Sequence, residues 1–229
     1  MTRRLLLIHA GPALPGVARR HGDFDRLFTH ALEDLGAEWT IVRPFRGEAL
    51  PNPTAFEAAF MTGSHASVRD RAPWMVDAER WLRDAVECRT PFLGVCFGHQ
   101  LLAHAFGAQV VKNPRGLELG TREVELTAEG RSDPLFEGLE PELQVLESHE
   151  DEVTELPPRI RRLAGNAFTA VQAIAVGSAR GVQFHPEFSP LLVRDLATEL
   201  GLEPPAEQAP GVGAGLLRTF VERLGRGAS

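Results

Sequence analysis

The run Gly94-Val95-Cys96-Phe97-Gly98-His99-Gln100 places one cysteine between two glycines, each two residues away. Before it, 91–95 is short, apolar and without helical periodicity, which reads as a buried strand. After it, Leu101, Leu102 and Phe106 form an apolar stripe that reads as a helix over 98–107. Cys96 therefore sits at the apex of a strand-to-helix turn. Glycine on both sides permits a turn that a side chain would obstruct, and leaves the backbone open to a substrate. Unpaired N–H groups and the positive end of the helix dipole at that position draw a thiol below its free pKa of about 8.5. The thiolate is the reacting species expected there. Glycines around one cysteine also fit a purely structural turn, so a second feature has to decide.

That feature is Gly181-Val182-Gln183-Phe184-His185-Pro186-Glu187, a strand-like run ending in a histidine and a carboxylate two residues apart. A nucleophile needs a general base, and the base needs a third group to fix its tautomer. In an extended segment residues i and i+2 project to the same side, so Glu187 is placed to hold one imidazole nitrogen of His185 while the other faces Cys96. Pro186 restricts φ and stiffens the pair.

Together these stretches resemble the two signatures of class I, triad-type glutamine amidotransferases, above all the amidotransferase part of GMP synthetase and its free-standing relatives. The likeness runs from roughly residue 5 to 187 and includes Met61 to Val68 and Glu147 to Val153. The resemblance implies a flavodoxin-like fold and hydrolysis of the glutamine side-chain amide by Cys96, His185 and Glu187. It implies an oxyanion hole from the N–H of Phe97 and one in the loop at Gly63, and substrate contacts from Gln100, Ser148 and His149. The step requires no metal and no organic cofactor. Two departures bear on specificity: Gly63-Ser64-His65 stands where many relatives have Gly-Gly-Pro, and Glu150 replaces a glycine after Ser148-His149. His99 lacks a carboxylate partner two residues on and reads as structural; His65 and His104 read as surface or packing residues.

Composition narrows the field. The 229 residues, 43% hydrophobic and 24% charged, suit one globular domain over 1–229, with 203–229 as a C-terminal linker and helix. A net charge of −7 provides no basic surplus for phosphate backbones, so no nucleic-acid partner is expected. No apolar stretch approaches the about 20 residues of a membrane span, and the opening is too short for a secretory signal, so a cytoplasmic location is expected. Two cysteines, Cys88 and Cys96, exclude a disulfide framework or four-cysteine metal site. Cys88, near the end of a helical pattern over 73–87, reads as inert. The sole lysine, Lys112, is followed by Asn113-Pro114, so a Gly-Lys-Ser/Thr phosphate loop is absent, as is G-x-G-x-x-G.

Strand-like and helix-like patterns alternate along the chain, which predicts an α/β fold with a mostly parallel open sheet and helices on both faces. Strands are predicted at 5–9, 39–42, 58–61, 91–95, 109–111, 122–126, 168–176 and 181–184. Helices are predicted at 23–35, 73–87, 98–107, 189–200 and 216–224. Gly63, Cys96 and His185 each follow a predicted strand, and ligands in such sheets bind beyond the strands' carboxyl ends. Three functions stay open: a glutaminase subunit feeding ammonia to a separate synthetase, a stand-alone hydrolase of γ-glutamyl peptides or related compounds, and a catalytically silent regulatory subunit.

Overall fold

The computed structural model describes residues 2–205 and 209–225. Its strands are β1 (Arg4–Ile8), β2 (Glu38–Val42), β3 (Ala58–Met61), β4 (Phe92–Val95), β5 (Gln109–Lys112), β6 (Glu118–Leu126), β7 (Glu142–His149), β8 (Asp151–Thr154), β9 (Arg161–Gly165), β10 (Ala173–Val176) and β11 (Ala179–Val182). Its α-helices are α1 (Pro15–His21), α2 (Phe24–Ala31), α3 (Pro73–Glu87), α4 (Phe97–Ala105), α5 (Ala128–Arg131), α6 (Pro190–Glu199) and α7 (Gly213–Thr219). Nine strands form one sheet in the order β2-β1-β3-β4-β11-β10-β9-β6-β7, and β5 and β8 pair separately. The five strands from β2 to β11 run parallel. The four beyond alternate, which leaves only β10 and β6 opposed to the rest. This is the expected large, mostly parallel sheet flanked by helices.

The centre of the sheet is apolar on both faces, as a parallel sheet covered by helices requires. In β1, Leu6 and Ile8 join a core with Ala59, Met61, Met75 and Leu82, while Leu5 and Leu7 join another with Phe28, Phe60 and Phe220. Period-two alternation thus sends neighbouring residues into different cores. Helix α3 follows its predicted bounds, starting at Pro73 and burying Met75, Ala78, Leu82 and Ala85 along one face. The C-terminal segment closes the second core, with Phe220 edge-on to Phe60 at a centroid distance of 5.2 Å. Among the described residues no helix is long and apolar enough to cross a membrane.

Five predicted elements differ in detail, the first being the strand expected over 122–126, which already begins at Glu118. The helix expected over 23–35 ends at Ala31 and continues as a 3₁₀ turn, Glu33–Leu35, closed by Gly36 at φ 58°. The strand expected over 168–176 begins only at Ala173, because Asn166 Oδ1 accepts from the N–H groups of Phe168 and Thr169 and curls that segment into a turn. The strand expected over 181–184 spans Ala179–Val182, and Gln183 and Phe184 already lie in a bend. The helix expected over 216–224 is α-helical from Gly213 to Thr219 and π-helical from Phe220 to Leu224. Of the predicted linker and tail, 206–208 and 226–229 lie outside the described residues.

Beta-carbon placement on glycines gives a direct test of the packing. A Cβ on Gly94 would lie 2.4 Å from the Gly98 carbonyl, whereas Gly215 on α7 has open space. Gly94→Ala is expected to cost about 3 kcal/mol, the upper end of overpacking penalties. Gly215→Ala is expected to be neutral or to stabilise by up to about 1 kcal/mol through helix propensity. Urea midpoints at unchanged slope measure both.

Candidate active site

Strands β3, β4 and β11 are neighbours in the sheet, and each delivers one element of the site at its carboxyl end. Gly63 follows β3, Cys96 follows β4, and His185 lies three residues beyond β11. Cys96 takes φ 51° and ψ −101°, a conformation that residues with a side chain rarely adopt. Its N–H donates to the Val182 carbonyl at 2.8 Å, and its carbonyl accepts from the Gln100 N–H at 3.0 Å. The flanking glycines are demanded by close approach. Besides the Gly94 contact, a Cβ on Gly98 would lie 2.7 Å from the Met61 carbonyl oxygen.

The His185 Nδ1–H donates to Glu187 Oε1 at 2.8 Å, leaving Nε2 as the nitrogen for another partner. The pair arises in a turn rather than an extended segment, since the Phe188 N–H donates back to the His185 carbonyl at 3.3 Å. Phe188 stacks on the imidazole at 3.9 Å with planes 9° apart. Burial alone would push the imidazole pKa down. The nearby charges of Glu187 and then Cys96 outweigh burial and hold it at about 10. Gly63 borders both groups: a Cβ there would lie 2.8 Å from His185 Cε1 and 3.6 Å from Cys96 Cβ. Phe97 is the first residue of α4, so its N–H belongs to the unpaired first turn of the helix.

The remaining predicted residues border the polar space beside Cys96. Ser148 presents its backbone there, with the Cys96 thiol 3.9 Å from the Ser148 carbonyl oxygen. Gln100 uses its side-chain amide within the protein, donating to the Asp151 carbonyl at 2.9 Å and to Gln183 Oε1 at 3.1 Å. His149 is buried, with Nδ1–H donating to the Asp151 carbonyl at 2.9 Å and Nε2–H to Glu118 at 3.1 Å. Glu147 lies 3.3 Å from the same Nε2. Burial pushes the His149 pKa down, and hydrogen bonds to Glu118 and Glu147 more than reverse that, raising it well above 6.5. His149 therefore acts on the cleft as a fixed buried charge. Glu150, which stands in place of a glycine, pairs with Lys112 at 3.3 Å.

Sequence reasoning missed Glu118 and Glu147, which enclose His149, and Arg69, which grips Asp151 Oδ1 at 3.1 Å at the edge of the cleft. Glu147 directly precedes Ser148 and was visible as a charge in an apolar alternation; Glu118 had no local signal. His65, read as a surface or packing residue, lines the space beside Cys96. His99 is buried against Gly181, and burial pushes its pKa to about 3, which keeps it neutral. Among the described residues two groups of side chains have metal-ligand proximity, Glu118–Glu147–His149 and His9–Asp23–Asp25. In the first, His149 Nε2 already serves the carboxylates. In the second, Asp23 accepts from the Ala13 and Phe24 N–H groups and Asp25 pairs with Arg43.

A mostly parallel sheet that brings Gly63, Cys96 and His185 to adjacent strand ends defines an α/β architecture. Within that class, the chain belongs to the glutamine amidotransferase class-I family, whose model matches residues 21–194. It is similar to the glutamine-hydrolyzing GMP synthase subunit of Saccharolobus solfataricus, 32% identical over 174 residues, 75% of this chain and 88% of that protein. It is also similar to gamma-glutamyl peptidase 4 of Arabidopsis thaliana, 26% identical over 199 residues, 85% of this chain and 79% of that one. A crystal structure of a glutamine amidotransferase from Thermotoga maritima shares the fold at a TM-score of 0.78 and 23% identity, covering 98% of each chain.

The charge state of His185 is directly measurable. Because its folded pKa is raised from 6.5 to about 10, its contribution to stability is full below about 6.5 and is lost as pH rises through about 10. Imidazole NMR titration is expected to show His185 cationic through neutral pH, and Cys96→Ala is expected to lower its pKa. Titration near 6.5 in the wild type would contradict this electrostatic picture.

Proposed function

We propose that this chain hydrolyses the γ-carboxamide of glutamine and related γ-glutamyl amides through a thioester on Cys96. The observation that carries the reading is the buried His185–Glu187 pair at 2.8 Å, set on the strand end next to a cysteine in a strained strand-to-helix turn. The Cys96 thiolate attacks the carboxamide carbon. N–H groups of Phe97 and Gly63 receive the oxyanion, a donor of this kind contributing on the order of 2.7–4 kcal/mol. Cationic His185 gives its Nε2 proton to the leaving nitrogen, and the C–N bond breaks. Neutral His185 then takes a proton from water as that water attacks the thioester, and glutamate and the thiolate are released. Glu187 fixes the tautomer and stabilises the cation throughout.

The polar cleft above Cys96, about 380 Å³, is lined by Ser67, Arg69, Gln100, Ser148, Glu150 and Asp151. It is of the size that holds a small ligand, and its polar groups suit the α-amino and α-carboxylate end of a glutamyl unit. Similarity to the GMP synthase subunit supports transfer of the ammonia to a separate synthetase. Similarity to the gamma-glutamyl peptidase supports a second reading, in which the same triad cleaves larger γ-glutamyl compounds. The residues 1–229 act as one amidotransferase domain in either case.

Glutamate release from glutamine is expected in wild type and is expected to disappear in Cys96→Ala. Glu187→Gln is expected to lower kcat by about 10²–10⁴-fold, as loss of the orienting carboxylate does in hydrolytic triads. Cys88→Ser is expected to keep wild-type rates. Retained turnover in Cys96→Ala, with contaminating glutaminase excluded by a mock purification, would refute the proposal.

A further inference from the structure

The two sides of the Cys96 sulfur differ in chemistry. On the side of Gln100 and Asp151 lies the polar cleft, which shares Ser64, His65 and Ser148 with its neighbour. On the other lies a narrow cavity of about 50 Å³ walled by Val17, Phe24, Phe188, Leu192 and Leu196. His185 borders this apolar cavity and is not among the residues lining the polar cleft. A proton donor must face the nitrogen that leaves, so a glutamyl unit seated in the polar cleft directs the substituent on that nitrogen into the apolar cavity. Ammonia as leaving group would need none of this room.

The cavity is a built feature. Helices α1 and α6 form its walls, and they are tied together by the Gly16 N–H on Glu199 at 2.6 Å and by His21 and Arg20 on Asp195 at 2.7 and 2.9 Å. No Asp, Glu, Lys or Arg lines it among the described residues. His65 at its mouth is driven toward its neutral form by burial and by the charge of His185. A carboxylate entering this space would lose its hydration, and the cation that borders it, His185, already holds Glu187. An apolar cavity of about 150 Å³ takes up the six carbons of benzene, so on that scale this one holds about two non-hydrogen atoms.

We infer that this site accepts γ-glutamyl amides of short apolar amines, with a one- or two-carbon alkyl group seated between α1 and α6. The inference rests on the proposed γ-glutamyl hydrolysis and specifies its substrate class. It distinguishes the alkyl amide from a γ-glutamyl peptide, whose leaving group carries a carboxylate.

The test compares kcat/KM for glutamine, γ-glutamylethylamide and γ-glutamylglycine in wild type, Cys96→Ala, Val17→Phe and Val17→Ala, each checked for a cooperative melt. Wild type is expected to favour the ethylamide over the other two by at least about tenfold, the lower range for apolar discrimination in a pocket. Val17→Phe, which fills the cavity, is expected to erase that preference. Val17→Ala is expected to move the optimum to a longer alkyl chain, which keeps the inference testable should Val17→Phe not fold. Cys96-dependent turnover of glutamine without preference for the ethylamide, or with preference for γ-glutamylglycine, would overturn the cavity assignment alone. Equal effects of a folded Val17 variant on all three substrates would do the same. Failure of wild type to cleave any of the three would overturn both the cavity assignment and the proposed hydrolysis.

Discussion

The approach of helix α4 to strand β4 is the constraint on which the reactive centre depends. Gly94 and Gly98 touch where no side chain fits, and Gly98 in turn lies against the Met61 carbonyl of β3. Only this closeness lets the chain reverse at Cys96 with φ 51°, a conformation that costs on the order of 1–3 kcal/mol. The surroundings offset that cost. Strand β4 is wholly buried between β3 and β11, and the Cys96 N–H is fixed to Val182 of β11. The same bond sets the distance between the cysteine and the turn that carries His185. Fold and site are coupled through one hydrogen bond and two missing side chains.

Electrostatics then assigns different roles to three buried imidazoles. His185, beside Glu187, and His149, beside Glu118 and Glu147, are both raised, and the sulfur's charge contributes to each. His99 has no carboxylate partner and is pushed down by burial to about 3. Burial opposes the charged form in all three cases; a nearby carboxylate decides the outcome. The sulfur's charge thus acts on two rings held by different parts of the chain, one from the turn after β11 and one from the end of β7. Such an arrangement favours an anionic sulfur.

What was legible in the sequence was local. The apolar runs of β1, β3 and β4, the stripe of α3 and the glycine spacing around Cys96 all carry their structural cause within a few residues. The His185–Glu187 pair was legible too, although Pro186 bends it into a turn where an extended segment was expected. Ser148 was legible as a residue of the cleft, yet its backbone carbonyl is the group near the sulfur. Glu118 and Val17 were illegible because their meaning is nonlocal. Glu118 meets His149 across the β6–β7 ladder, and Val17 reaches the site only because α1 docks on α6. Strand β7 escaped detection because buried Glu147 and His149 interrupt its apolar alternation. Enclosed charges are what blur a folding pattern.

The central claim is that the sulfur of Cys96 is the atom that bonds to substrate, and covalent trapping tests it most directly. The protein is treated with a glutamine-mimicking electrophile, with and without excess glutamine, and the modified peptide is identified by mass spectrometry. The account predicts one adduct on Cys96, suppressed by glutamine, with the exposed Cys88 unmodified. An adduct on Cys88 with Cys96 unmodified, or labelling of Cys96 that glutamine does not suppress, would contradict it.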